Sequence, residues 1–241
     1  RCLSRGLGDV YKRQDHIVAS SDVYGGTYGL MTEELPRFGI ETTMADMQDP
    51  SSYEAAINEN TKMLYIETIT NPVIKICDIE AMSAIAKKHD LLLVIDNTFA
   101  SPWGCQPIKF GADLVIHSTT KYLGGHSDIV GGAVVGKADL IAKMFIKKVH
   151  FGGSPDPHNC YLLERGIRTL AARMPIHCAN AAEIAKRLEA HPLIDVVHHP
   201  SLSSHRDYEL AKRMIPKGTG MIAFTVKGGD ESALKFMRGL E

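Results

Sequence analysis

Residues 91–98 read LLLVIDNT, and this stretch decides the fold. Apolar residues follow one another without a break from Leu91 to Ile95, so a strand built from them has no polar face. Such a strand must be covered on both sides, as strands of parallel sheets are. The run stops at Asp96, and Asn97 and Thr98 follow as turn formers. Outward from it, HIVAS (16–20), MLYIE (63–67), DLVIHS (113–118) and GAVVG (132–136) also read as strands. Helical patterns lie between them. Asp78 can cap a helix from Ile79 to about Lys88, with Ile79, Met82 and Ile85 near one face. Lys87, Lys88 and His89 stand at its C-terminal end, where the helix dipole favours positive charge. Residues 139–148 form a second helical stretch. This alternation predicts an α/β fold, a mostly parallel sheet flanked by helices.

Beyond SPDPH (154–158) the pattern changes. Two long helices are expected over 159–174 and 176–191, separated around Pro175, then strands in IDVVHHP (194–200) and GMIAFTVKGG (220–229), and a helix from near Glu231. Helices followed by short strands predict the start of a smaller α+β C-terminal domain over 174–241, after a large domain over 15–173. Residues 1–14 mix charge and glycine without period and lack an apolar core of signal-peptide type, so they are set aside as non-native or disordered.

Composition narrows the function. The chain has 241 residues, 44% of them apolar, and a formal net charge of −1, which offers no bulk electrostatic basis for nucleic acid or an acidic membrane as partner. No apolar run approaches the roughly 20 residues that span a bilayer. The five cysteines are scattered and never form a CxxC pair, a pattern expected of reduced thiols in a cytoplasmic protein. His198 and His199 lack further ligands at zinc-like spacing and read as solvated residues after a strand. Gly25-Gly26 does not open a dinucleotide-binding unit, and Met214 and Met221 read as core fillers.

Ligands of open parallel sheets sit beyond the carboxyl ends of the strands. There the sequence delivers Asp96 with Asn97 and Thr98; Ser118, Thr119, Thr120 and Lys121; and Glu67 with Asn71-Pro72 soon after. An acid, hydroxyls and a lysine at one edge match a phosphorylated, nitrogen-containing aldehyde, and pyridoxal 5′-phosphate (PLP) meets that description. Taken singly, each residue also has an ordinary reading: a solvated lysine, a helix-capping acid, turn hydroxyls.

Taken together, the motifs resemble a family. DLVIHSTTKYLGGHS (113–127) is similar to the cofactor-lysine signature of the PLP-dependent enzymes of cysteine and methionine metabolism, the trans-sulfuration group. SDVYGGTYGL, IETITNP, VIDNTFASP, GGAVVG and LERGIRTLAARM also resemble segments of that group and occur in the same order. The resemblance implies a fold-type I, aspartate-aminotransferase-like architecture. It implies that Lys121 forms the Schiff base with PLP and then moves the substrate's Cα proton, and that Asp96 pairs with the pyridine nitrogen. Ser118 and Thr120 would bind the phosphate, both facing one side of an extended segment. Tyr24 would stack on the ring and act on protons at the γ carbon, and Asn71 would lie near the phenolic oxygen.

The implied activity is β/γ-elimination or γ-replacement on cystathionine, methionine or an O-acylhomoserine, with small sulfur amino acids as partners. The implied assembly is a homotetramer, a dimer of dimers. Some methionine γ-lyases carry cysteine at the position of Gly26, which weakens that subtype, and Asn159 stands where many relatives have Asp. An upstream phosphate-binding segment and a downstream carboxylate-binding arginine of the family are absent from 15–241, so weak or no turnover is expected of this chain alone. The alternatives are a scaffold that keeps the fold without the pocket and another PLP class such as an aminotransferase; the signature around Lys121 argues against the latter.

Overall fold

The uninterrupted apolar run becomes an interior strand of a six-stranded sheet of order β2-β1-β3-β4-β5-β6. The structure, a computed structural model, describes residues 14–240. The expectation for residues 1–14 therefore lies, Gln14 apart, outside the described residues.

In chain order the elements begin with β1 (His16–Ser20), α1 (Gly25–Gly29), β2 (Glu41–Ala45), α2 (Pro50–Ala56), β3 (Thr61–Glu67), α3 (Ile79–Lys88) and β4 (Leu92–Asp96). They continue with α4 (Ser101–Gly104), β5 (Leu114–Ser118), β6 (Gly132–Gly136), α5 (Ala138–Phe151), α6 (Pro157–Arg168) and α7 (Leu170–Glu189). The chain then forms β7 (Ile194–His198), α8 (Tyr208–Met214), β8 (Ala223–Val226) and α9 (Gly229–Arg238). Strands β1 to β5 pair in parallel, and β6 closes the far edge antiparallel to β5.

Both faces of the sheet are covered, as the run at 91–95 requires. Leu64, Ile66, Leu93, Ile95 and Val115 pack on one face with Ile79, Met82, Ile85 and Ala86 of α3. Ile17, Ala19, Met63, Tyr65, Val94 and Leu114 pack on the other, against Leu140, Ile141 and Met144 of α5. Burying one side chain such as Leu93 or Ile95 stabilises the fold by roughly 1.5–3 kcal/mol. Asp78 caps α3, its carboxylate accepting the Ala81 N–H at 3.1 Å, and Lys87 and Lys88 occupy the last turn as read from sequence.

The second half departs from expectation first at the helix break. The break between the two long helices falls at Thr169, and Pro175 lies inside α7. Arg173, two residues earlier, is held by its guanidinium, and Met174 is fully buried, so packing keeps the helix continuous through the proline. Strands β7 and β8 form a separate antiparallel pair over a small cluster of Ala185, Ile194, Val197 and Leu202. Ala211, Met214 and Ile215 return to the main core. His199 is buried, contrary to its reading as solvated: it hydrogen-bonds Ser201 at 2.7 Å and the Thr219 carbonyl at 3.3 Å. No helix among the described residues is long and apolar enough to cross a membrane.

Candidate active site at the carboxyl edge of the sheet

Register brings the site together. Glu67 at the end of β3 lies opposite Asp96 at the end of β4, and Asp96 lies opposite Ile116 of β5. Strand alternation then turns Tyr65, Glu67, Asp96 and Ser118 to the same face of the sheet. The Tyr65 hydroxyl confirms this, donating to Asp96 Oδ2 at 3.3 Å. Asp96 Oδ1 accepts the Thr98 N–H at 2.9 Å, and Thr98 Oγ1 in turn accepts the Ser118 N–H at 2.8 Å. The ends of β4 and β5 are thus tied through the turn that the sequence marks with Asn97-Thr98. Asn97 itself is buried and structural, bonded to Thr68 and to the carbonyls of Ser101 and Cys105.

Lys121 sits in a wide helical turn, Thr119–Leu123, with a non-helical backbone of φ −95° and ψ −130° and an exposed side chain. Several groups hold the turn. The Thr119 N–H donates to the Gly131 carbonyl at 2.9 Å, and the His126 ring bonds the Gly124 carbonyl at 2.8 Å. Arg173 reaches from α7 and donates to the carbonyls of Tyr122 and Gly166 at 2.9 and 2.8 Å. Gly166 of α6 lets the helix touch the turn directly: a Cβ there would lie 2.3 Å from the Gly124 carbonyl oxygen.

The turn also changes one expectation. Because 119–123 is helical and not extended, alternation does not carry Thr120 to the side of Ser118, and its hydroxyl is engaged with Gly131, accepting the N–H at 3.1 Å.

Tyr24 and Asn71 enter from two other loops. Tyr24 is 58% exposed, and its main-chain N–H donates to Glu67 Oε1 at 2.7 Å. The Asn71 N–H donates to Glu67 Oε2 at 3.1 Å, and the Asn71-Pro72 peptide is cis. Burial pushes the Glu67 carboxyl up to about 7; Asp96 and Asp22 push the same way, while the two N–H groups oppose them. Burial also raises the Tyr65 phenol and lowers the His117 imidazole, which keeps both neutral beside Asp96.

This donor set fits PLP. A primary amine is open to an aldehyde, a carboxylate retains lone pairs for a ring N–H, and the Ser118 hydroxyl stands at the same edge for a phosphate. The family described as Cys/Met metabolism PLP-dependent enzyme matches residues 4–241.

The chain belongs to this family.

Its relatives in the family agree. An L-methionine gamma-lyase of Porphyromonas gingivalis is 44% identical over 241 residues, 99% of this chain and 60% of that protein. A cystathionine gamma-lyase of Bacillus subtilis is 45% identical over 237 residues, 96% of this chain and 61% of that protein. The crystal structure of metB from Corynebacterium glutamicum superimposes with a TM-score of 0.94 at 41% identity, covering 99% of this chain and 62% of that one. The chain thus spans about 60% of the length of these relatives. The fold of the family, a mostly parallel sheet flanked by helices, is the fold of this chain.

Tyr65 and Arg173 carry no signal in the sequence, and Thr98 and Glu67 stand out only as residues at strand ends. The first three act through single hydroxyls or main-chain carbonyls, for which residue type leaves no mark. The burial of Glu67 was readable, since an acid ends the otherwise apolar run MLYI.

Proposed function

We propose that this chain is the cofactor-bearing part of a PLP-dependent enzyme of sulfur amino-acid metabolism, catalysing β/γ-elimination or γ-replacement on cystathionine, methionine or an O-acylhomoserine. One observation carries the reading: the acid at 96 and the Ser118–Lys121 segment leave adjacent parallel strands at the same edge. When bound, PLP withdraws electrons from the substrate's Cα. Lys121 holds the cofactor and, once released, its amine takes the Cα proton and returns it elsewhere on the substrate. Asp96 keeps a ring nitrogen protonated, and the Tyr65 hydroxyl and Thr98 N–H hold that carboxylate in place. Ser118 offers its hydroxyl to the phosphate; Thr120 does so after exchanging its bond to Gly131. Tyr24 covers the ring and serves protons at the γ position, and Asn71 lies at the phenolic oxygen.

Residues 15–173 form the cofactor domain in this reading, and 174–241 begin the second domain. The assembly is a homotetramer of two dimers, the partners are small amino acids, and the compartment is the cytoplasm, in keeping with the free thiols of Cys77, Cys105, Cys160 and Cys178. Borohydride reduction with PLP, followed by peptide mapping, tests the reading. Label on Lys121 supports it; label on another lysine, or none in a folded full-length protein, overturns it. Substrates offered to that protein with and without added thiol separate lyase from replacement chemistry: keto-acid release without thiol marks a lyase.

A further inference from the structure

The loops bearing Tyr24 and Asn71 follow different strands, β1 and β3, yet both hang from one side chain. Glu67 is 5% exposed; one carboxyl oxygen takes the Tyr24 N–H at 2.7 Å and the other takes the Asn71 N–H at 3.1 Å. A second tie joins the same two loops. Lys75 Nζ meets Asp22 Oδ2 at 2.6 Å, with both side chains only about a quarter exposed (21% and 25%). Asp22 is itself anchored at the end of β1, its N–H donating to the Ser20 hydroxyl at 3.2 Å.

We propose that Glu67 is a positioning residue that clamps the Tyr24 loop to the Asn71 loop, with the Asp22–Lys75 pair as the second clasp, so that the two groups flanking a bound cofactor keep one fixed relation. The assignment of Tyr24 and Asn71 to the cofactor rests on the function proposed above; the clamp itself rests on the hydrogen bonds.

A carboxyl group suits this task. It presents two acceptor oxygens to two main-chain donors, and neither bond depends on which residues donate. An amide at 67 has one acceptor oxygen and would turn its NH2 group toward the other N–H. Aspartate is shorter by a methylene and cannot reach both loops from the strand end. Closing two loops on one buried group also removes backbone freedom before any ligand arrives, which lowers the ordering cost of binding.

Hydrogen exchange on the cofactor-free chain tests the clamp. Glu67→Gln should lower protection of the Tyr24 and Asn71 amides together by about tenfold or more, the loss of one main-chain bond, while Leu93–Ile95 of β4 keep wild-type protection. Lys75→Met should loosen the same two amides to a smaller degree. The pH profile adds a readout that mere scaffolding would not move. Opening the clamp frees the Glu67 carboxyl from burial and from Asp96 and Asp22, the carboxylates that face it from β4 and from the Tyr24 loop. Protection of the two amides should therefore fall as pH rises from about 5 to 7 and be flat in Glu67→Gln.

Unchanged exchange at both amides in Glu67→Gln, or equal loss throughout the sheet, overturns the proposal. Should that variant not fold, Lys75→Met decides: faster exchange at both amides supports the clamp and unchanged exchange overturns it. Failure of the functional reading looks different, since Lys121 would then take no borohydride label while the exchange pattern persisted.

Discussion

Gly26 shows how one missing side chain shapes the site. A Cβ at this position would lie 2.6 Å from Cε1 of the Tyr24 ring. The ring is exposed and can swing away, so Gly26→Ala should change folding stability by no more than about 0.5 kcal/mol. The displaced ring should nevertheless lower kcat/KM of the full-length enzyme by about tenfold or more, because misplacement by an ångström is enough. Steady-state kinetics beside a thermal melt separate the two effects, and an unchanged kcat/KM would remove Tyr24 from the site. The placement of the candidate site residues was partly legible. Lys121, Asp96 and Ser118 follow from strand ends and motif, whereas the bonds to Glu67 involve main-chain N–H groups of Tyr24 and Asn71, which any residue type supplies.

Among the elements, the contact between α6 and the Lys121 turn is tightly constrained. An added methyl at Gly166 meets two main-chain oxygens, those of Gly124 at 2.3 Å and Leu123 at 2.6 Å, and neither can rotate aside. Gly166→Ala should cost about 1–3 kcal/mol in urea unfolding and should slow labelling of Lys121 by PLP and borohydride, since the turn must shift. A variant as stable as the parent would show that the helix can pivot away. Strands were legible wherever both faces are buried, as in LLLVI and MLYI. Strand β2, with its sequence ETTMA, escaped detection because it lies at the sheet edge, where only Ala45 of its five residues is buried. The helix break escaped as well. Pro175 is the more visible signal, but the break at Thr169 is held by short-range side-chain bonds that residue type does not announce, the Thr169 hydroxyl donating to the Gly166 carbonyl at 3.1 Å and accepting from Arg173 Nε at 3.0 Å.

At the scale of the whole molecule, buried histidines contribute to the acid side of stability. His16, His117, His199 and His205 all have pKa values lowered by burial. Below about pH 6.5 the unfolded chain takes up protons on these rings before the folded one does, so stability present above that pH is lost as pH falls. His205 is the clearest case. Its Nε2 donates to the Ile74 carbonyl at 3.0 Å and its Nδ1 accepts the Asp207 N–H at 3.1 Å, an arrangement open only to the neutral ring. His205→Asn should flatten the dependence of the unfolding midpoint between pH 7 and 5, and an equally steep profile would place the titration elsewhere. The long helix α7 has a further consequence. Its Arg173 grips the carbonyl of Tyr122, the residue after Lys121, and the helix runs on to the small cluster beneath β7 and β8. A tilt of that far end should therefore carry, as by a crankshaft, to the turn that bears the nitrogen at 121.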